Sequence, residues 1–474
     1  MSFVQPIKKP KQWRLQPGER RVILLAGDFL MSLLSLVAAL IVWSRPDWLK
    51  FSLEFLQQRI PGWYYLLPIV WIILMVELYD VRRASRIRDT IVGILMAALG
   101  YLGLYLLIYF SSEPDSLPRL GVAVFIIATS LFTLFWRFIY IRIFTAPLFM
   151  RRVLIIGAGR AGRTMAKVVK GIRPQPFMLL GFIDDDVKKT GIDIEDYQVL
   201  GTSTDLMNLA MSQNVTDLIL AISNEVDSAT FDILLQAEEK GMVITSMPLM
   251  YEELLGRVPI FLLKSDWILR SFLEKAHTSG FFEFWKRIID LIGGLVGCIF
   301  TVLVLPLVSF LTLVDSGFPI FYSQTRLGKN SKIYKIYKFR TMKQDAEKDG
   351  RPKMASENDQ RVTRIGKFLR KTHLDEFPQF INVLKGEMSL VGPRAERPEL
   401  VEELEKVVPF YRARLLIKPG VTGWAQINYG YASNAEETAV KLEYDLYYIQ
   451  HRNLLLDFSI MLRTFSTMIG FRGQ

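Results

Sequence analysis

Residues Arg151–Val169 read RRVLIIGAGRAGRTMAKVV. An apolar run, Val153–Ile156, leads into Gly157, Gly159 and Gly162, and a helix-patterned segment follows. This GxGxxG spacing sits in the strand–turn–helix setting that gives it meaning. The glycines allow a tight turn and let a pyrophosphate approach a helix N-terminus. A second strand-like run, Leu179–Ile183, ends at Asp184, Asp185 and Asp186, where an acid suits a ribose hydroxyl. Further runs at Leu218–Ile222 and Val243–Ser246 predict a small Rossmann-like, doubly wound α/β domain over residues 151–262. Gly157, Gly159, Gly162 and Asp184 are thus a candidate site for NAD or another nucleotide. The motif serves equally in a domain kept for dimerisation or regulation, which makes a second copy of the chain a candidate partner.

Upstream, four apolar runs fill residues 1–150: Val22–Trp43, Trp63–Leu78, Thr90–Phe110 and Leu120–Trp136. Each approaches the length needed to cross ~30 Å of hydrocarbon, the second and fourth near the lower limit. Basic residues cluster before the first run (Lys8, Lys9, Lys11, Arg14), between the second and third (Arg82, Arg83, Arg86, Arg88) and after the fourth (Arg137, Arg142). Glu113 and Asp115 mark an acidic loop between the third and fourth. The positive-inside rule then places both ends of a four-span helical bundle in the cytoplasm. Asp28 lies within the first run, near its cytoplasmic end, and a structural partner for it is favoured over a functional one.

Bulk properties agree. Of 474 residues, 51% are hydrophobic, and the net charge is +11, which calls for an anionic partner. A single cysteine, Cys298, rules out an intrachain disulfide and a cysteine metal cluster. The three histidines show no HExxH spacing. Basic residues without an RNA-binding aromatic motif argue against nucleic acid.

Downstream, FFEFWKRIID (Phe281–Asp290) precedes an uncharged stretch, Leu291–Val314, that contains Pro306. A full crossing would place the basic residues that follow, from Arg326 to Arg340, outside the cell. A helix over about residues 286–314 that enters the cytoplasmic leaflet, bends near Leu305–Pro306 and returns avoids this. A fifth ordinary span is the alternative. The basic block KIYKIYKFRTMK (Lys332–Lys343) and its neighbours suit anionic lipid or a diphosphate.

Asp375 and Glu376 then stand side by side before Pro378, at the head of an apolar segment. A helix N-terminus favours ionised carboxylates, and an ionised Asp is a possible nucleophile toward phosphorus. Thr372-x-x-Asp375 is also a capping box, and spacing alone leaves the two readings even. The final segment, Lys418–Gln474, reads as one or two amphipathic helices lying on a membrane, or as a packed cytosolic helix.

From Phe281 onward the chain resembles the bacterial polyprenyl-phosphate hexose-1-phosphate transferases, the monotopic phosphoglycosyl transferases that initiate exopolysaccharide or O-antigen synthesis. The resemblance rests on WKRIID, GFPIFYSQTRLGKN, YKFRTM, RKTHLDEFPQFINVLKGEMSLVGPR and KPGVTGWAQINY, in family order. With the spans and α/β domain, it extends to the long form of the family. It implies an α-rich monotopic catalytic domain over 281–474 at the cytoplasmic face of the bacterial inner membrane. The implied partners are a UDP-sugar donor, a polyprenyl (undecaprenyl) phosphate acceptor and membrane lipid. Asp375 would attack the sugar-linked phosphorus and expel UMP, and Glu376 would assist, with Mg²⁺ held by the pair. Lys338, Arg340, Arg370, Arg394 and Arg397 would bind substrate phosphates. The chain departs from the common pattern at His373, Phe377 and Ala395, where the family often has Ser, Leu and Pro. Two other readings are a membrane-anchored nucleotide-sugar dehydratase or epimerase, whose Tyr-xxx-Lys pair would be Tyr334 and Lys338, and a non-catalytic assembly scaffold.

Overall fold

The computed structural model describes residues 17–79, 81–111, 119–144, 150–222, 227–262, 280–343, 361–430, 432 and 434–469. The basic N-terminal run with Lys8 and Arg14, and the loop with Glu113 and Asp115, lie outside these residues. By its contacts the chain divides into two units, Met1–Met247 and Pro248–Gln474.

Strand β1 (Arg152–Ile156) is the centre of the first unit's sheet. Val153, Leu154 and Ile155 are fully buried on alternating faces, the signature of a covered parallel strand. After β2 (Met178–Ile183), β3 (Asp193–Ile194) and β4 (Tyr197–Gly201), the chain returns to the other edge of β1 for β5 (Asp217–Leu220) and β6 (Val243–Ser246). The order is β3-β4-β2-β1-β5-β6, parallel except for the β3–β4 hairpin. The reversal on either side of β1 opens a crevice at its carboxyl end, where the glycine turn lies. The helix Arg160–Gly171 buries Ala161, Gly162, Met165, Ala166 and Val169, one stripe at helical spacing.

Three of the four expected N-terminal runs are long helices: Pro17–Ser44, Ile87–Ser111 and Arg119–Phe144. Leu95, Leu99 and Phe135 are exposed while Asp28, Thr129 and Arg137 are buried, the inverse of a water-soluble bundle. The second run differs from expectation. It forms a 3₁₀ turn Gly62–Leu66, a short helix Leu67–Leu74 and another 3₁₀ turn Val76–Tyr79. A polar centre explains the last break. Arg137 grips the Asp28 carboxylate with Nε at 3.2 Å, and its Nη1 donates to the Leu78 carbonyl at 2.7 Å. The second terminal nitrogen, Nη2, completes a two-point contact with Asp28 at 2.5 Å. Asp28 therefore has the structural partner favoured from sequence. The other helix long and apolar enough to cross a membrane is Gly280–Ser316.

The α/β domain was expected to run to Leu262; the contact division falls earlier, at Met247. The reason is visible in the packing of the segment that follows. Val258 and Ile260 enter the C-terminal core, Tyr251 donates its hydroxyl to Glu443, and Trp424 donates its indole N–H to Gly256.

In the C-terminal unit, the helix Gly280–Ser316 continues through Pro306, so it is not interrupted near Leu305–Pro306 where a bend was expected. β7 (Phe321–Leu327) and β8 (Ile333–Phe339) form an antiparallel hairpin, and β9 (Ser389–Val391) pairs in parallel with β10 (Gly420–Thr422). The helix Ala435–His451 buries Ala439, Leu442, Leu446, Tyr448 and Ile449 as well as Glu443 and Asp445. It is a packed helix, so the membrane-surface reading does not hold for it.

Candidate active site

Period-two alternation in β8 turns Phe339 one way and Lys338, with Arg340 just beyond the strand, the other. Phe339 is buried with Val308 and Leu369. Lys338 and Arg340 face a cavity of about 500 Å³.

The carboxylate pair enters this cavity on a different element. The helix Arg364–Lys371 ends at Thr372, and His373 takes a left-handed conformation (φ 55°) that turns the chain into a 3₁₀ helix, Leu374–Gln379. Thr372 donates its hydroxyl back to Phe368 and Leu369 rather than forward, so the capping box is not formed. Asp375 and Glu376 are left available for other work. The long apolar helix supports them from beneath. Phe377 packs against Phe300 at 5.3 Å between ring centroids and stacks on Phe380. Gly297 leaves room for the Phe380 ring, which any Cβ there would strike.

The two acids have different surroundings. Glu376 Oε1 accepts from Lys338 Nζ at 2.7 Å and Arg394 Nη2 at 3.0 Å. Burial opposes its charge, but these two cations outweigh burial and hold its pKa well below the usual carboxylate range. Asp375 is buried, and among the described residues no hydrogen bond reaches its carboxylate. Burial, reinforced by the neighbouring Glu376 charge, pushes it up to about 6 against the pull of Lys338. His373 is held below its ordinary value, chiefly by burial.

The loop after β9 supplies Arg394 and Arg397. Its backbone is clamped by two arginines from elsewhere. Arg414 donates to the Arg394 carbonyl at 3.1 Å, and Arg326 donates to the Ala395 carbonyl at 3.1 Å. These bonds fix the loop where the family often has a proline at the position of Ala395.

All seven site residues singled out in this half of the chain (Lys338, Arg340, Arg370, Asp375, Glu376, Arg394 and Arg397) line the one cavity. Arg340 holds a different post from the one expected. Its guanidinium donates to the carbonyls of Ser316, Gly317 and Phe318, closing the C-terminal end of the apolar helix. Sequence reading missed Arg326, Glu396, Arg414 and Lys441 as cavity residues. Nothing in their spacing marks them, because they converge from four distant segments. With Lys343 they bring the lining, among the described residues, to nine Lys or Arg side chains against three carboxylates, a balance that suits a polyanion. Among the described residues no cluster of three or more His, Cys, Asp or Glu ligands is present. Asp375 and Glu376 remain the adjacent hard oxygen donors of the cavity, a pairing that suits a Mg²⁺ sharing its other positions with water and phosphate.

Comparison with known proteins bears on this site. Residues 281–470 match the bacterial sugar transferase family, and residues 74–248 match a CoA-binding domain. The UDP-glucose:undecaprenyl-phosphate glucose-1-phosphate transferase of Klebsiella pneumoniae is 31% identical over 331 residues, covering 66% of this chain and 67% of that protein. The chain belongs to the bacterial sugar transferase family. Another member, the UDP-N-acetylgalactosamine-undecaprenyl-phosphate N-acetylgalactosaminephosphotransferase of Aeromonas hydrophila, is 40% identical over 225 residues. That match spans 47% of this chain and about half, 52%, of the Aeromonas protein. The exopolysaccharide production protein PSS of Rhizobium leguminosarum bv. phaseoli is 36% identical over 184 residues, 38% of this chain and 92% of its own. The sugar-transferase match contains the whole cavity lining. Tyr334 and Lys338, the pair a dehydratase would need, also fall within it, while the glycine turn lies in the other unit.

In the α/β domain, Gly157 has φ +102° and sits with a would-be Cβ 2.9 Å from the Ala221 carbonyl, so only glycine fits. Asp184 is engaged locally. Its carboxylate accepts from the Ala158 amide at 2.7 Å and from Lys189 at 3.1 Å. Burial opposes its charge, yet these bonds bring its pKa below the ordinary value. The expected ribose ligand therefore already braces the glycine turn.

Proposed function

We propose that this protein transfers a hexose-1-phosphate from a UDP-sugar to undecaprenyl phosphate, releasing UMP, at the cytoplasmic face of the bacterial inner membrane. The observation that carries the reading is the division of labour between adjacent carboxylates. Glu376 is neutralised by Lys338 and Arg394, while Asp375 stands buried among cations with its oxygens uncommitted.

The Asp375 carboxylate attacks the sugar-linked phosphorus of the donor. The bond from that phosphorus to the bridging oxygen breaks, and UMP leaves with the electron pair. A phosphate oxygen of the lipid then attacks the same phosphorus and frees Asp375, giving a lipid-linked diphosphosugar. Arg370, Arg394, Arg397 and Lys338 neutralise the phosphates, which is most of what phosphoryl transfer requires. Asp375 and Glu376 would be the residues to hold a Mg²⁺, which would supply further charge neutralisation to the phosphates. The product is the first membrane-linked sugar of an exopolysaccharide or O-antigen.

The apolar helix Gly280–Ser316 is monotopic in this reading. At roughly 1.5 Å per residue it is far longer than the hydrocarbon core is thick. Lys286 near its start bonds Asp457 at 2.6 Å, and Asp315 near its end accepts from the Ile365 amide at 2.9 Å. Both ends are thus tied to the same unit, which supports the re-entrant reading although the helix is not interrupted at Pro306. Leu295, Val302, Leu303 and Phe310 form its exposed lipid-facing side. The glycine turn of the α/β domain is a nucleotide site only if Asp184 and the Ala158 amide rearrange around the ligand, and pairing of two copies through this domain is the other role we retain.

The test is to incubate the purified full chain with labelled UDP-sugar and no lipid acceptor. UMP release and a phosphosugar adduct on Asp375 are expected. Absence of both with a donor that supports turnover overturns the covalent route.

A further inference from the structure

Among the described residues, Glu396 is the one carboxylate of the cavity outside the Asp375–Glu376 pair. In a site built for phosphate, a third acid is an anomaly, because it repels the ligand that its neighbours attract. The first explanation to test is that it serves as a counter-ion for Arg414 or Arg326.

The geometry weakens that explanation. Arg414 already has Asp445 at 2.9 Å, the Tyr411 hydroxyl at 2.6 Å and the Arg394 carbonyl at 3.1 Å; Glu396 is its most distant partner at 3.5 Å. Arg326 donates to Gln324 at 2.7 Å and Ala395 at 3.1 Å, and Glu396 lies 3.8 Å away. Each arginine has at least two acceptors nearer than Glu396, although the Arg326 Nε is buried without a hydrogen-bond partner among the described residues. The Glu396 backbone is fixed, since its carbonyl accepts from the Leu327 amide at 3.0 Å. Its backbone is therefore anchored, and with a single side-chain hydrogen bond among the described residues, from Arg414 at 3.5 Å, its oxygens keep acceptor capacity. Thr438 and Lys441, from the helix Ala435–His451, line the same cavity.

An ionised carboxylate on a fixed backbone is the usual acceptor for a pair of sugar hydroxyls, and a hydroxyl donor is what the donor substrate offers besides phosphate. We propose that Glu396 reads the hexose, accepting hydrogen bonds from ring hydroxyls and thereby selecting among UDP-sugars. This rests on the transfer reading above. It assigns to Glu396 discrimination among sugars, with the phosphates left to the cations.

The experiment compares kcat/KM of the wild-type full chain and Glu396→Gln with undecaprenyl phosphate and a panel of UDP-hexoses epimeric at one ring carbon, alongside inhibition by UMP. A hydrogen bond to a charged group is worth about tenfold or more in rate. The preferred donor is expected to lose about that factor, so that its advantage over its epimers narrows, while UMP inhibition stays unchanged. Glu396→Asp, which keeps the charge but draws the oxygens back, should narrow the same ratio and answers the case in which the amide loosens the loop. A uniform loss across all donors with the ratios kept, or a matching loss of UMP affinity, overturns the inference. A wild-type enzyme that transfers from no UDP-sugar overturns the parent reading and this one with it, a result distinct from preserved ratios.

Discussion

Thr301, in the middle of the apolar helix, donates its hydroxyl between the Gly297 carbonyl at 2.7 Å and the Phe377 carbonyl at 3.2 Å. Phe377 directly follows the carboxylate pair, so a membrane element holds the turn that carries the candidate nucleophile. Thr301→Val keeps the shape and deletes the bond. A neutral hydrogen bond contributes about 1 kcal/mol, so transfer should slow by about fivefold. The unfolding midpoint should fall by no more than about a few degrees. A variant with wild-type turnover would show that the tie does not position the turn.

The raised Asp375 carboxyl gives the reaction an acid limb. Below about pH 6 it is protonated and a poor nucleophile; above about pH 6 it is ionised and active. The rate of adduct formation should therefore fall as pH drops through this region. Lys338 pulls that pKa down, so Lys338→Met should carry the limb upward by about one unit or more. A limb that stays put in the variant separates Lys338 from Asp375.

Chelation addresses the metal. With EDTA present, transfer should stop and return on adding Mg²⁺, since few protein ligands leave the ion dependent on water and substrate. Undiminished turnover in EDTA removes Mg²⁺ from the mechanism.

In the N-terminal bundle, Arg137→Met should be strongly destabilising. It leaves Asp28 as an uncompensated buried charge, at a cost of about 3 kcal/mol or more. Adding Asp28→Asn should recover much of that loss. Thermal unfolding of the single and double variants in detergent reads the coupling directly, and additive effects would contradict a shared ion pair.

Gly157 and Gly159 separate fold from ligand in the α/β domain. Gly157→Ala should destabilise it, because the added carbon meets the Ala221 carbonyl at a strained φ. A Cβ at Gly159 meets nothing within 4 Å, so Gly159→Val should fold normally and lose any nucleotide bound at the turn. Unchanged nucleotide retention by Gly159→Val would move the ligand elsewhere.

Local patterns carried much of this into the sequence. The glycine spacing after an apolar strand marked the turn after β1, and the basic block KIYKIYKFR singled out Lys338 and Arg340. The Asp375–Glu376 pair was visible, but only tertiary contacts could decide between capping and chemistry, since Thr372 turns its hydroxyl backward. Arg340 shows the limit from the other side. An arginine in a basic block looks like a phosphate ligand until the end of the apolar helix is found to occupy its donors. The second apolar run had the composition of a span, yet Arg137, far along the chain, draws the Leu78 carbonyl out of helical geometry. Glu396 and Arg414 carry no local signal because their meaning arises from four segments closing on one cavity.

The contact of Phe377 with Phe300 has a further consequence. In the proposed transfer, the aspartate's height above the acyl chains would be tied to how deeply the helix settles, whereas the acceptor's phosphate would be tethered at a level set by its own prenyl tail. Turnover then depends on those two levels coinciding. Under that reading, bilayer thickness and headgroup crowding are expected to control the rate of a reaction whose chemistry never enters the oil.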